Sequence, residues 1–151
     1  MTDKEKICVL GDGAWGTALA TVFDRNGFDV AVWGCFEDEI REIKQAHENV
    51  RFLPGVPLPD RIVFTDNMEE AVEKASLIVL GTPSQYMRGV LEKFKPLFKP
   101  EEHAVVNISK GIEVESLKRM SELCAEILGE VHYCALSGPS HAEEVARKIP
   151  T

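Results

Sequence analysis

The chain has 151 residues, 44% of them hydrophobic and 28% charged, and a net charge of −8. That is one domain of ordinary globular make-up, able to bury a core, whose acid excess argues against a nucleic-acid or anionic-membrane surface and leaves room only for a local basic pocket. No apolar run is long enough to span a bilayer, the mixed-charge start M-T-D-K-E-K has no signal-peptide core, and neither the four cysteines nor the four histidines show metal-ligand spacing.

A short apolar run, Ile7 to Leu10, has strand composition. Gly11, Gly13 and Gly16 follow at G-x-G-x-x-G spacing. Trp15, Ala18, Leu19 and Val22 then recur on one face of a 3.6-residue period, and Gly27 caps the helix. In this setting Gly11 permits the tight turn, Gly13 a close approach to a pyrophosphate, and Gly16 the packing of helix on sheet. The helix's first N–H groups and its dipole then face the phosphates. A preceding strand and a following helix set the motif apart from an ordinary glycine turn.

Asp29 to Trp33 reads as the second strand, ending at Gly34-Cys35, and an acidic helix follows over Glu37 to Ala46 with Ile40 and Ile43 inward. Asn49 to Asp60 holds three prolines and is expected to be an extended, rigid loop. Ile62 to Thr65 is the third strand. Asp66 is placed to cap a helix over Met68 to Lys74, with Glu69 in the capping-box position. Ser76 to Leu80 is the fourth strand, apolar enough to be covered on both faces, and it breaks at Gly81-Thr82-Pro83-Ser84. Met87, Val90, Leu91 and Phe94 line the next helix, which stops before Pro96. Ala104 to Ile108 is the fifth strand, broken by Ser109-Lys110-Gly111. Leu117, Met120, Cys124, Ile127 and Leu128 then share one helical face up to Gly129. His132 to Leu136 is the sixth strand, and Ser137-Gly138-Pro139-Ser140 leads into a last helix over His141 to Lys148. Cys8 and Cys134 fall inside strands, where a thiol acts as a small hydrophobe. All four cysteines are read as reduced, in a cytoplasmic protein.

Strands alternating with helices imply βαβ crossovers, hence an α/β fold with a doubly wound parallel sheet. Ligands bind such sheets beyond the carboxyl ends of the strands, where the five polar or glycine-bearing breaks fall. Lys110, just past a buried strand, is either a point charge aimed at a phosphate or polarised carbonyl, or a solvated turn lysine. Gly138 and Ser140 offer N–H groups and a hydroxyl to an anion, or plain helix capping. Trp15 lies over the cofactor phosphates or packs. His141 is read as packing or exposed rather than catalytic. Near the place of the ribose-binding acid stands Cys35, with Glu37, Asp38 and Glu39 just beyond. This acidic cluster would repel a 2′-phosphate and tilts the choice between NAD and NADP to NAD.

With these residues laid out, the chain resembles the N-terminal domain of bacterial-type NAD(P)-dependent glycerol-3-phosphate dehydrogenases. The likeness is carried by G-D-G-A-W-G-T-A-L-A (Gly11 to Ala20), F-L-P-G-V-P-L-P (Phe52 to Pro59), S-K-G-I-E (Ser109 to Glu113) and S-G-P-S-H-A-E-E-V-A (Ser137 to Ala146). The resemblance implies hydride transfer between sn-glycerol 3-phosphate and dihydroxyacetone phosphate, feeding phospholipid synthesis. It implies that Ala14 and Trp15 contact the pyrophosphate, that Cys35, Pro83 and Ala142 also line the cofactor, that Lys110 contacts cofactor and substrate, and that Gly138 and Ser140 hold substrate. Family members often carry arginine or histidine where this chain has Cys35, so NADP preference is not carried over. A second, helical domain with the catalytic lysine follows in the family, and the full enzyme is expected to be a homodimer. The chain, stopping at Ile149-Pro150-Thr151 just after a helix, is therefore read as an N-terminal dinucleotide-binding fragment that binds cofactor without turnover. The rival readings are a non-catalytic nucleotide sensor and a related dehydrogenase for another phosphorylated or carboxylated substrate.

Overall fold

Alternation along the first strand explains the architecture. In β1 (Lys6–Leu10) Ile7 and Val9 join one apolar cluster, and Cys8 and Leu10 the opposite one. Both faces of the sheet are apolar and both must be covered. The computed structural model describes residues 5–150 and covers both faces with helices. The charged lead-in before Glu5 and the final Thr151 lie outside the described residues.

Strands β1, β2 (Asp29–Trp33), β3 (Val63–Thr65), β4 (Ala75–Leu80), β5 (Ala104–Asn107) and β6 (His132–Ala135) form one sheet in the order β3-β2-β1-β4-β5-β6. All neighbours are parallel. This is the doubly wound order, with the direction of winding reversing between β1 and β4. Helices α1 (Ala14–Arg25) and α2 (Glu37–Ala46) seat Leu19, Ala20, Ile40 and Ile43 on one face. Helices α3 (Met68–Val72), α4 (Met87–Phe94) and α5 (Met120–Leu128) seat Ala71, Met87, Leu91, Phe94 and Leu123 on the other.

The last helix, α6 (Ala142–Ala146), packs on α1 instead of on the sheet. Ala142 and Ala146 meet Ala18, Leu53 and Val56, and the Arg25 guanidinium donates to the carbonyls of Val145 and Ala146 at 3.3 and 3.2 Å. Strand β6 is left uncovered at the sheet edge, so Cys134 is exposed rather than buried as a small hydrophobe, whereas Cys8 is buried.

Three local expectations are corrected. The cap of α3 is Asn67, whose side chain accepts from the N–H groups of Glu69 and Glu70, while the Asp66 carbonyl accepts from Trp33 Nε1 at 3.0 Å. The 49–60 segment is folded back rather than extended. A Glu48–Pro57 bridge closes it, Gly55 N–H donates to the Glu48 carboxylate at 2.7 Å, and Leu53, Val56 and Leu58 are buried. Helix α5 begins only at Met120, because the preceding residues form a loop closed by an Ile112–Arg119 bridge, in which Leu117 sits at φ +57° with 70% of its surface exposed.

Candidate functional site

Because every strand runs the same way, all five chain breaks emerge on one edge of the sheet. Each strand's hydrogen-bond ladder continues one step into its break: Gly11 N–H reaches the Trp33 carbonyl (2.9 Å), Gly34 that of Thr65 (3.0 Å), Gly81 that of Leu10 (2.9 Å), Ile108 that of Leu80 (3.0 Å) and Leu136 that of Asn107 (2.9 Å). Side chains tie the breaks sideways. The buried Thr82 hydroxyl donates to the Leu10 carbonyl at 3.0 Å, the Ser109 hydroxyl donates to the Thr82 carbonyl, and Asn107 exchanges hydrogen bonds with Ser109. The rim is therefore held in place before any ligand arrives.

The glycine turn is the most constrained part of this rim. Gly11 has φ +128°, and a Cβ there would lie 2.7 Å from the Gly81 carbonyl carbon. A Cβ on Gly16 would lie 2.5 Å from the Gly11 oxygen. Gly13 differs: its φ is an ordinary −65° and a Cβ would meet nothing within 4 Å. The protein itself gives no reason for glycine there, so the open space in front of Gly13 fits a ligand that comes close to the backbone. Gly13 is also the N-cap of the 12-residue α1, with no capping side chain and no acidic residue in the first turn. Its free N–H groups and dipole end suit an anion. A pyrophosphate fits this cradle.

The turn is locked from behind by a residue outside the glycine motif. Asn49, 1% exposed, donates to the Asp12 carbonyl at 2.7 Å and to the Thr17 hydroxyl at 3.0 Å, and Thr17 itself donates to the same carbonyl at 3.2 Å.

Two cavities flank the start of α1. One, of about 430 Å³, lies on the β2 side and is lined by Asp12, Glu39, Glu42, Glu48, Arg51 and Phe52 among others. The second, of about 550 Å³, lies on the β5–β6 side and brings together Trp15, Lys110, Gly138, Ser140, His141 and Ala142. Asp12 lines one and Trp15 the other, so a single backbone turn through Gly13 and Ala14 separates them. A dinucleotide, with two nucleosides joined through a pyrophosphate, has the matching shape.

The structure thus gathers Trp15, Lys110, Gly138, Ser140 and Ala142 on one cavity, with Gly11, Gly13, Ala14 and Gly16 beside it. Trp15 is half-buried, packing against two apolar clusters while lining the cavity. Lys110 is exposed, on a turn closed by Gly111 at φ +98°. Cys35 and Pro83 are exposed on the breaks after β2 and β4 and line neither cavity.

Electrostatics separate the two ends. On the β2 side, burial pushes the Asp12 carboxyl above its usual range, with its own backbone N–H and Arg51 opposing. Burial and then the Asp12 charge raise the Cys35 thiol. Arg51 is paired with Glu39 and lies 5.0 Å over the Phe52 ring. Behind the Lys110 turn, Arg88 grips the buried Glu113 with two 2.8 Å bonds and reaches Glu126 at 3.0 Å. The Arg88 bonds, followed by the Ser116 hydroxyl, hold the Glu113 carboxyl down at about 2. Asp12 stood inside the glycine motif and Glu113 closed the S-K-G-I-E stretch, whereas Asn49, Arg51 and Arg88 had only their polarity to mark them, with no spacing that separates them from surface residues.

Comparison with known proteins gives this edge a context. The family described as NAD-dependent glycerol-3-phosphate dehydrogenase N-terminus matches residues 6–151. A glycerol-3-phosphate dehydrogenase (NAD(P)+) of Syntrophomonas wolfei is 46% identical over 97% of this chain and 43% of its own length. One of Carboxydothermus hydrogenoformans is 47% identical over 97% of this chain and 44% of its own. The crystal structure of glycerol-3-phosphate dehydrogenase from Coxiella burnetii superposes with a TM-score of 0.92 at 34% identity, over 98% of this chain and 45% of that one. The chain thus spans less than half the length of these relatives. By this match across nearly its whole length, the chain belongs to the NAD-dependent glycerol-3-phosphate dehydrogenase N-terminus family.

Proposed function

We propose that this chain is the dinucleotide-binding domain of a glycerol-3-phosphate dehydrogenase, binding a nicotinamide cofactor across the start of α1 and presenting Lys110 to a three-carbon phosphate ester. The reading is carried by one observation: Lys110, Gly138 and Ser140, from the breaks after β5 and β6, share a cavity with Trp15 of the glycine turn. When bound, the cofactor supplies or takes the hydride exchanged with the secondary carbon of glycerol 3-phosphate or the carbonyl of dihydroxyacetone phosphate. The chain's own residues bind and orient. Gly11, Gly13 and Gly16 shape the pyrophosphate cradle, and Ala14 and Trp15 contact it from the first turn of α1. Ala142 closes the cofactor's far side, with Cys35 and Pro83 at its margins. Lys110 provides a positive charge for both cofactor and substrate, and Gly138 and Ser140 hold the substrate by N–H and hydroxyl.

The adenosine end favours NAD over NADP, since Asp12, Glu39, Glu42 and Glu48 outnumber the single Arg51 in that cavity. Proton transfer belongs to a second, helical domain, so this chain alone binds cofactor without turnover. The complete enzyme is a homodimer in this reading, the commonest closed symmetry among soluble oligomers. Its compartment is the cytoplasm, whose reducing conditions suit four free cysteines.

Titration with NADH, then with dihydroxyacetone phosphate on the NADH complex, tests the reading. Replacing Lys110 with alanine is expected to weaken the ester about tenfold or more, the worth of a charged hydrogen bond, while leaving most NADH affinity. Absence of NADH binding, or an ester affinity indifferent to Lys110, overturns it. NADH binding with no response to the ester identifies a nucleotide sensor instead.

A further inference from the structure

In the doubly wound fold the acid that reads the adenosine ribose stands at the end of the second strand. Here β2 ends in Gly34-Cys35, and a thiol is only a weak acceptor. A carboxylate reaches the same corner from another direction. A Cβ built on Gly34 would lie 2.7 Å from Asp12 Oδ2 and 2.8 Å from its carboxyl carbon. The Asp12 carboxylate is thus laid against Gly34, in the space that the missing side chain leaves free, one residue before Cys35. Its Oδ2 is buried and has no hydrogen-bond partner among the described residues, although the Asp12 backbone carbonyl is held by both Asn49 and Thr17. An acceptor left in this condition costs free energy until a donor arrives. Asp12 lines the β2-side cavity, whose one guanidinium, Arg51, is already engaged by Glu39.

We propose that Asp12 determines cofactor specificity: its carboxylate replaces the acid absent from position 35, accepts the adenosine 2′-hydroxyl of NAD and repels the 2′-phosphate of NADP. This rests on the dinucleotide reading above. A hydroxyl in the cavity that Asp12 lines would give this carboxylate a donor on binding. A phosphomonoester would bring a second anion against it, in a cavity where four carboxylates face one guanidinium that Glu39 already engages. The glycine turn would then carry both the pyrophosphate cradle and the residue that chooses the cofactor.

Binding of NADH and NADPH to the intact protein, followed by nicotinamide fluorescence, tests the assignment with Asp12→Asn, which keeps shape and removes charge. The unaltered protein should prefer NADH. The variant should bind NADH about tenfold more weakly and NADPH no worse than before, so that the preference collapses. A measurement on the unaltered protein stands independently of the variant's folding: 5′-AMP should displace NADH about tenfold better than adenosine 2′,5′-bisphosphate. Equal displacement by the two, or an equal loss of NADH and NADPH in Asp12→Asn, overturns the assignment while leaving dinucleotide binding intact. Failure of the unaltered protein to bind either coenzyme overturns the dinucleotide reading and the assignment together.

Discussion

Gly13 and Gly16 belong to one motif, yet different partners require them. Gly16 is demanded by the protein, since a methyl there would press into the Gly11 carbonyl at 2.5 Å. Gly13 faces open space at an ordinary φ. Gly16→Ala should therefore lower stability by about 1–3 kcal/mol through overpacking, visible as a lower melting temperature. Gly13→Ala should stay within about 1 kcal/mol of the parent, since alanine is only a poorer N-cap, while losing most NADH affinity in a fluorescence titration. A large loss of stability at Gly13, with NADH binding kept, would contradict this division. Sequence spacing located both glycines because it encodes a backbone path. It did not single out Asn49 or Asp12, whose importance comes from what stands opposite them after folding: a carbonyl and hydroxyl 32 to 37 positions away for Asn49, and the bare Cα of Gly34 for Asp12.

At the scale of elements, hydrophobic period found the helices, and partners chosen in three dimensions set their ends. Leu117 continued the apolar spacing of α5, but the helix starts after Arg119. Glu113 is turned inward to Arg88, Ser116 donates to the same carboxylate, and the segment closes on itself through Ile112 and Arg119. The Asp66 cap failed by one residue for a similar reason, as Trp33 Nε1 donates to the Asp66 carbonyl and the Thr65 hydroxyl accepts from the Asn67 N–H, fixing the peptide between them. The Arg88–Glu113 pair makes the Lys110 loop sensitive to acid in a defined window. Glu113 is held down to about 2 against an ordinary value of 4.5, so the unfolded chain binds the extra proton between these limits. The stabilisation is complete above 4.5 and is lost as pH falls through about 2. Arg88→Met should melt at lower temperature than the parent at neutral pH, and the gap should close across that window in thermal scans. A gap independent of pH would mean that Arg88 acts through packing alone.

At the scale of the molecule, the alternation of elements prescribed the parallel sheet, and the sheet in turn put five separate breaks on one edge. That much was legible because βαβ units leave few alternatives. The division of the edge into two cavities was not, since it depends on α6 lying against α1 and on the 49–60 segment folding inward, choices made by Arg25, Leu53 and Val56. A ligand spanning both cavities binds the folded state alone. At a concentration of about 100 times its dissociation constant, NADH should add about 2.7 kcal/mol and raise the melting temperature by about 5–10 °C. Glycerol at the same concentration should do nothing.

The unequal placement of the four thiols gives the fold a chemical readout of its own. Cys8 and Cys124 are buried, with ionisation pushed up to about 12, while Cys35 and Cys134 stand in solvent on opposite flanks. An alkylating reagent at mildly basic pH should tag Cys134 first, Cys35 more slowly because burial and the Asp12 charge raise its thiol, and the buried pair only as fast as the domain opens. Of the two exposed thiols, Cys134 should be indifferent to coenzyme and Cys35 shielded by it, so peptide mass analysis would map occupancy with no added label.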